Sequence, residues 1–475
     1  MSRLSFLSVP ASGRRMMCAA LTVALAGALG SASQADTLRS VVRDALRTNP
    51  ELAAIRFNRQ AIDHELRAAR GLGLPSVDVR SNIGTHRDSV KTRLGIETTD
   101  PWHYHRDLSL VMSQRIFDGY ERAHEVSRQK HRVESARWRV ADTANSIALR
   151  AVQAYFEIGR AIAVLAAAKS NYNQLIALRS RVMARVRAGH GDRAEASEAG
   201  SRVANAQALV IEAQARLEDA KTLFRTVVGR MPGRLKSAPG ARKALPRTLA
   251  IAIQEARRAA PSVVATEHDA VAARAAIGSA YSRLYPKLNL EISGDAGRGL
   301  DGRGDRDVDA RAMLVVRWTL FNGGINRARI SEARARADEA GSIAANTRRQ
   351  VEQQTRVSWT AMTAAGVRVP VLKRRLTLLR KTRAAYSSQF MTGERRLLDL
   401  LDAQNEIFLA DAALRTEIFV GQYNAYRVLA SMGQLVWALG LELPSEAVRP
   451  HRRSVLDGWS ARVSPHQHVD AGPHK

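Results

Sequence analysis

The spacing of apolar residues predicts two very long helices. Ala, Leu, Ile and Val recur every three or four residues through 120–188 and again through 324–391, which is the period of a helix with a buried face. At about 1.5 Å per residue, each segment would form roughly 100 Å of helix. Gly189 and Gly393 follow the two segments, so each long helix is expected to end in a turn there.

Shorter helices are predicted to bring the chain back from those turns. Helical patterns of this kind cover 193–228, 395–438, 37–48, 50–73, 248–259 and 261–284. Pro50 and Pro261 each open one of them, and proline suits the first position of a helix. The segment 230–247, rich in Pro and Gly, is expected to be a linker.

Apolar and polar residues tend to alternate in four short stretches, which predicts strands. The stretches are 76–86, 107–116, 287–294 and 311–320. Alternation over about ten residues is typical of membrane strands with one lipid-facing side. Two half-buried hairpins on a soluble domain are the alternative. In the membrane interpretation, the connecting segments 87–106 and 297–309 would face the cell exterior.

The chain contains a long internal duplication. Asn49-Pro50 returns as Ala260-Pro261, at an offset of 211. Phe117-Asp118-Gly119, Gly189 and Gly229 return as Phe321-Asn322-Gly323, Gly393 and Gly433, at an offset of 204. Such a period is too long for a solenoid unit of about 20–50 residues. We therefore expect two structural repeats, 36–229 and 248–440, with the linker 230–247 between them.

Residues 1–35 have the pattern of a secretory signal. Arg3, Arg14 and Arg15 precede an apolar stretch, and small residues end at Ala35, where cleavage is expected. Removal of this segment would also remove Cys18, the only cysteine. No other segment of the sequence suggests a membrane-spanning apolar helix, so insertion into a membrane would have to use strands.

The formal charge of +28 raises the question of nucleic acid. The Arg residues are scattered, Asp and Glu alternate with them, and no basic block would follow a phosphate backbone. Export also argues against nucleic acid. Solvated helix faces account for most of the charge, and attraction to anionic lipid headgroups or an acidic passenger is the weaker alternative.

Four strands are too few to close a barrel, which needs about eight. An open sheet edge is not tolerated in lipid. The chain is therefore expected to contribute its strands to a barrel that several copies share, which would make it an obligate oligomer.

Taken together, these motifs resemble those of the TolC family of outer-membrane channel-tunnels. The order of helix break, proline-led strand, Phe-(Asp/Asn)-Gly junction and long helical hairpin occurs twice, and the second hairpin, Phe390 to Glu406, is similar to the family's. The resemblance implies a homotrimer with a 12-stranded outer-membrane β-barrel, continued by a long periplasmic α-helical barrel. It covers about 37–440 and leaves 441–475 as a polar tail that we expect to be disordered.

The resemblance also implies partners. A channel of this family would be the exit duct for an inner-membrane transporter and its periplasmic adaptor, embedded in outer-membrane lipids. The hairpin sequence is most similar to the type I secretion branch, in which an ABC transporter exports an unfolded protein such as an RTX toxin or adhesin. A multidrug efflux channel is the alternative, and a periplasmic coiled-coil scaffold without a pore is an alternative of another class.

The family's periplasmic gate maps onto five residues here. Asp399 and Asp402 lie three apart on one helix face and would give a ring of six carboxylates in a trimer, which favours cations. Without the resemblance, they are acids that stabilise a helix N-terminus. Phe390, Arg395 and Glu195 match the family's closing links, although Phe390 lacks the hydroxyl group of the usual tyrosine. Arg395 and Glu195 are expected to form an ion pair.

The turns at Gly189 and Gly393 are expected to dock the adaptor. The sequence carries no nucleophile elbow, phosphate-binding glycine loop or zinc-ligand spacing. It therefore predicts neither an enzyme nor a bound cofactor or metal.

Overall fold

The computed structural model describes residues 35–87, 89–91, 95, 97–99, 102–298 and 306–447. The expected signal segment, residues 1–35, lies outside these residues apart from Ala35. So do most of the expected exterior segment 297–309 and the expected tail from residue 448 on.

Helices dominate the described residues. They are α1 (Leu38–Thr48), α2 (Pro50–Gly71), α3 (Glu121–Arg187), α4 (Arg193–Val228), α5 (Leu249–Ala259), α6 (Pro261–Tyr281), α7 (Ile325–Thr392), α8 (Leu397–Ser431) and α9 (Leu435–Ala438). The two long helices have 67 and 68 residues, as the apolar spacing predicted. The last return helix ends earlier than expected, because Gly433 adopts a left-handed φ of +72° and separates α8 from α9.

Local chemistry explains where several helices begin and end. Asn49 accepts a hydrogen bond from the Glu51 N–H at 2.9 Å, so it caps α2 just before Pro50. Thr248 caps α5 in the same way through the N–H of Ile251. Gly229, at a φ of +84°, ends α4, because a left-handed residue closes a helix and glycine takes this conformation without strain.

The strands are β1 (Ser76–His86), β2 (Ser89–Lys91), β3 (Glu97–Thr99), β4 (His103–Phe117), β5 (Lys287–Arg298) and β6 (Arg306–Arg317). Four of them form one antiparallel sheet in the order β1-β4-β5-β6, and β2 pairs with β3. The expected strand 311–320 is corrected at both ends, since β6 begins at Arg306 and stops at Arg317. Strands also enter both expected connecting segments, 87–106 and 297–309.

The pairing register gives the four-stranded sheet one mainly apolar and one mainly polar face. Val79 pairs with Leu110, Leu110 with Gly294, and Leu290 with Leu314. On the other face, Arg80 pairs with Ser109, and Asp295 with Asp309. The apolar face is exposed on the single chain: Val79, Ile83, Leu110, Leu314 and Val316 are 50–70% accessible. Such a face is covered by lipid or by protein in the functional state.

The chain divides into two compact units. The hairpin unit comprises 35–48, Arg150–Gly240 and Val369–Phe419, and the sheet unit comprises Asn49–Leu149, Ala241–Arg368 and 420–447. The hairpin unit has a core at its turns and a small cluster around Ala168 and Phe408. The sheet unit buries Trp138, Ala141 and Ala265 together.

The segment after residue 440 is ordered for longer than expected. Leu443 and Ala447 pack against the cluster around Trp138. Glu446 accepts a hydrogen bond from the Arg56 guanidinium at 2.8 Å. The tail predicted to start at residue 441 therefore cannot include 441–447.

One described helix is apolar and long enough to cross a membrane by composition alone. It is Glu121–Arg187, and half of its most apolar 18-residue window is buried within the protein. The expectation that no segment after the signal would reach this apolar content was therefore wrong.

Candidate functional site: the two hairpin turns

Both long helices end in the same turn. Gly189 has a φ of +79° and Gly393 a φ of +86°. The N–H of Gly189 donates to the Val186 carbonyl and that of His190 to the Arg185 carbonyl. Gly393 and Glu394 repeat both bonds in the second hairpin, to Phe390 and Gln389. This pattern is the Schellman motif, which satisfies the last carbonyls of a helix with a left-handed residue.

The turns lie on a shared apolar core within the hairpin unit. Phe390 is 2% exposed and belongs to a cluster contributed by all four hairpin helices. Its buried members are Leu175, Leu178, Val182, Ala199, Val203, Ala206, Phe390, Leu397, Leu400 and Leu401. The first and second hairpins are therefore held together by apolar packing just behind their turns.

Arg185 joins the two turns through the backbone. Its guanidinium lies 4.4 Å from the centroid of the Phe390 ring. It donates to the Phe390 carbonyl at 2.7 Å and to the His190 carbonyl at 3.1 Å. Phe390 thus takes part in the junction as an aromatic face and a carbonyl, contacts that need no hydroxyl group. Sequence reasoning missed Arg185, whose place in the second copy is taken by Gln389.

Asp399 lies in the first turn of α8 and is flanked by two arginines. Arg395 approaches it at 3.7 Å and Arg396 at 3.9 Å. Arg395 also lies 4.3 Å from the centroid of the Tyr386 ring and donates to the Gln389 side chain. An acid in this position is stabilised by the helix N-terminus, so Asp399 is stabilised by both helix and arginines.

Asp402 makes the ion pair that joins the two return helices. Arg202 on α4 donates to Asp402 at 3.1 Å and to Glu198 on its own helix at 3.1 Å. Asp402 is 57% exposed and Arg202 30%. Sequence reasoning missed Arg202, because its partner Asp402 lies in the other copy of the repeat. The position equivalent to Arg202 in that copy is Glu406.

Within one copy of the chain, Glu195 and Arg395 do not pair, so an ion pair between the hairpins of neighbouring copies stays a prediction. Arg395 stays within its own hairpin, on Tyr386, Gln389 and Asp399. Glu195 lies in the first turn of α4, and its buried Oε2 makes no hydrogen bond among the described residues.

Behind the turns, a polar layer crosses between the hairpins. The Gln404 amide donates to Asn171 at 2.8 Å, and both side chains are buried. Arg383 donates to Gln174 at 2.6 Å and to Gln404 at 3.2 Å. These bonds fix the register of the two hairpins, because an unpaired buried amide is costly. Within the described residues, no group of three or more His, Cys, Asp or Glu side chains could hold a metal ion.

A sheet with an exposed apolar face, in a chain with two hairpins of very long helices, defines the class of outer-membrane channel-tunnels. The family model described as "Outer membrane efflux protein" matches residues 41–230 and 252–416. The chain belongs to this family, whose members are channel proteins of the outer membrane and not enzymes.

Relatives and solved structures agree with this class. The outer membrane efflux protein BepC of Brucella suis biovar 1 (strain 1330) is 22% identical, over 94% of this chain and 96% of its own length. The outer membrane protein TolC of Escherichia coli (strain K12) is 21% identical, over 85% and 84%. Among solved structures, the outer-membrane channel OprN has a TM-score of 0.74 at 21% identity, covering 84% of this chain and 90% of that one. VceC of Vibrio cholerae has a TM-score of 0.72 at 16% identity, covering 86% and 96%.

Proposed function

We propose that three copies of this chain form one exit duct across the outer membrane. The supporting observation is the four-stranded sheet, whose edge strands β1 and β6 are open and whose apolar face is exposed. Such edges are not tolerated in lipid, and about eight strands are the minimum for closure. Three copies supply twelve strands and place every edge next to another.

The hairpin turns form the periplasmic gate of this duct. Asp399 and Asp402 of three copies would give six carboxylates at the narrow end. Arg202, Arg395 and Arg396 lie within 4 Å of those carboxylates, so each aspartate has a basic partner. Rearranging these pairs is a low-cost route to opening, because an exposed ion pair contributes only about 0–1 kcal/mol.

The duct serves a type I secretion system, in which an inner-membrane ABC transporter and a periplasmic adaptor deliver an unfolded protein. What supports this assignment is the second hairpin sequence, Phe390 to Glu406, with its resemblance to the secretion branch. The adaptor docks at the turns around Gly189 and Gly393, and the passenger is an RTX toxin or adhesin.

A multidrug efflux channel is the second candidate. It is favoured by the family description and by the name of the relative BepC, both of which refer to efflux. The two candidates share the trimer, the adaptor and the gate, and differ in what passes through the duct.

Deleting the gene in its native host separates the two candidates. We expect the deletion to abolish one or more proteins in the culture medium, with the full-length gene restoring them. Unchanged secreted proteins together with sensitivity to several unrelated drugs would favour efflux instead. An ABC transporter, adaptor and RTX gene beside this gene would agree with the first outcome.

The trimer has a test of its own. Outer-membrane fractions should contain a species of three times the chain mass that dissociates only on heating in detergent. A monomer, or absence from that membrane, would contradict the duct and favour a periplasmic scaffold.

A further inference from the structure

Exposed aromatic residues mark one level of the sheet unit, where strands meet helices. Tyr120 follows β4, Tyr285 precedes β5, and Trp318 and Phe321 follow β6. Each is at least half accessible on the single chain. The Trp318 indole donates to the Leu284 carbonyl at 3.0 Å. Trp and Tyr concentrate at the membrane–water interface, so this level is where lipid headgroups lie.

A cavity of about 530 Å³ opens on the helix side of that level. It lies within the sheet unit, between the first turns of α3 and α7 and the last turns of α6. Its floor is made of small side chains: Ala272, Ala273, Ala276, Ala280 and Ala333. Five arginines, three acids and one serine complete its wall: Arg128, Arg132, Arg283, Arg329, Arg336, Glu121, Asp269, Glu332 and Ser279.

The three acids of the cavity are already neutralised. Glu121 pairs with Lys287 at 2.6 Å, Asp269 with Arg139 at 2.7 Å, and Glu332 with Arg336 at 2.7 Å. These acids therefore offer no further charge to the remaining arginines of the wall.

Two arginines of the cavity lack such a partner. Arg128 pairs with Glu125, and Arg132 pairs with Glu65. Arg283 and Arg329 make no ion pair among residues 35–87, 102–298 and 306–447. Arg283 stands two residues before Tyr285, and Arg329 lies in the second turn of α7, so both guanidinium groups are close to the aromatic level. Two positive charges there call for an anionic ligand.

We propose that this cavity binds the phosphate headgroup of an anionic phospholipid from the periplasmic leaflet. Guanidinium groups bind phosphate oxygens through paired hydrogen bonds, and basic pockets between helices at the membrane surface bind such headgroups. The alanine floor leaves room for the glycerol backbone, and the exposed apolar face of the sheet accepts the acyl chains. Arg283 and Arg329 are the ligand-binding residues of this site.

The test measures lipid retention on the full-length trimer. The purified protein is delipidated, incubated with phosphatidylglycerol or phosphatidylcholine, and analysed by native mass spectrometry. We expect up to one phosphatidylglycerol per chain and little phosphatidylcholine. Arg283→Ala with Arg329→Ala should weaken phosphatidylglycerol binding by about thirtyfold. Each basic residue near an anionic membrane surface adds a similar free energy of binding, and this double variant removes two of them.

A matched control removes the same charge from α6 and α7 outside the cavity. Arg274 and Arg327 are exposed and do not line it, so Arg274→Ala with Arg327→Ala should leave lipid binding unchanged. Retention of the trimer band shows that both variants fold. Equal binding by both variants, equal loss in both, or displacement of the lipid by millimolar inorganic phosphate would overturn the proposal.

Discussion

The two hairpin turns have the same backbone and different charges. Gly189 and Gly393 close their helices with the same pair of hydrogen bonds, one in each copy of the repeat. The first turn then continues into an N-cap, Asp192, which accepts from the Ala194 N–H at 3.2 Å. In the second turn the equivalent position is Arg396, which lies beside Asp399 instead.

The acids that follow the turns differ in their partners. In the first hairpin, the Glu195 Oε2 is buried without a hydrogen bond among the described residues, and Glu198 pairs with Arg202. In the second, Asp399 and Asp402 both face arginines. Both copies therefore keep what the turn requires, which is the glycine and its two hydrogen bonds. The side chains that the turn does not require have diverged. A gate in one copy only is consistent with this divergence.

The largest expected effect comes from the core residue that the two copies do not share. Phe390→Ala should destabilise the protein by about 3–5 kcal/mol, the usual cost of emptying a buried aromatic site. The matched change Val186→Ala, at the equivalent position of the first hairpin, should cost about 1 kcal/mol, because Val186 is only partly buried. Urea unfolding of the detergent-solubilised protein measures both. Equal losses would show that the second turn has no special role in joining the hairpins.

The two turn glycines should respond alike. Gly189→Ala and Gly393→Ala should each cost about 1–2 kcal/mol, because a Cβ is strained at positive φ. No atom lies within 4 Å of the added Cβ at either position, so the cost is conformational.

Gly341 is the matched control for the two turn glycines. It lies inside α7 without a positive φ, with open space around its Cβ. Gly341→Ala should stabilise the helix by up to about 1 kcal/mol. A loss at Gly341 similar to that at the turns would contradict this account.

The two copies also differ in the sheet unit, where His131 and His268 stack with their Nδ1 atoms 3.4 Å apart. Their equivalents in the other copy are Ala335 and Phe57. Burial lowers the pKa of both imidazoles. For His131, Lys130 adds to the lowering of the pKa and Glu134 opposes it. For His268, the charge of His131 adds to the lowering of the pKa, and Glu134, Glu267 and Asp269 oppose it.

The sign of the pH effect follows from these lowered pKa values. The folded state prefers both histidines neutral, so their contribution to stability is complete above the unfolded pKa of about 6.5. It is lost as pH falls from there through the lowered folded values. The melting temperature should therefore drop between pH 7.5 and pH 5, and His268→Asn should reduce that drop. The exposed His64→Asn is the control, and an unchanged pH dependence in His268→Asn would contradict the interpretation.

The smallest effect on stability is expected at the ion pair between the return helices. Arg202→Ala should cost no more than about 1 kcal/mol, because Asp402 is well exposed, and the cost should shrink in high salt. Arg216→Ala, which removes a comparable exposed pair with Glu212, is the matched control. A loss of several kcal/mol at Arg202 would mean that this pair holds the fold and does not merely set the charge at the proposed gate.

Much of this fold could be predicted because its signals are local. Period-two alternation found all four strands of the main sheet, and three- and four-residue spacing found the long helices. The strand ends were predicted less well. Arg306 to Ala310 alternates like the strand that it extends, but most of it was assigned to the connecting segment 297–309. The ordered segment through Ala447 was missed, because only its contact with the cluster around Trp138 distinguishes it from a polar tail.

The candidate site was predicted only in part, because its contacts join residues far apart in sequence. Gly189 and Gly393 could be found from the duplication and their turn chemistry. Arg185 and Arg202 could not, since no local pattern marks an arginine that reaches from one copy of the repeat to the other. Within one copy of the chain, the expected pair of Arg395 with Glu195 is absent for the opposite reason, because local contacts compete with it. Tyr386, Gln389 and Asp399 lie nearer to Arg395 in sequence and occupy its guanidinium.

The proposed gate is tested most directly by single-channel conductance in planar lipid bilayers. We predict a low conductance for the unmodified trimer and a clearly larger one for Arg395→Ala with Asp399→Ala, which removes one charge of each sign at the second turn. Arg216→Ala with Glu212→Ala makes the same charge change away from the turns and should leave the conductance unchanged. A conductance of Arg395→Ala with Asp399→Ala equal to that of the unmodified protein would contradict the placement of the gate at the second hairpin turn.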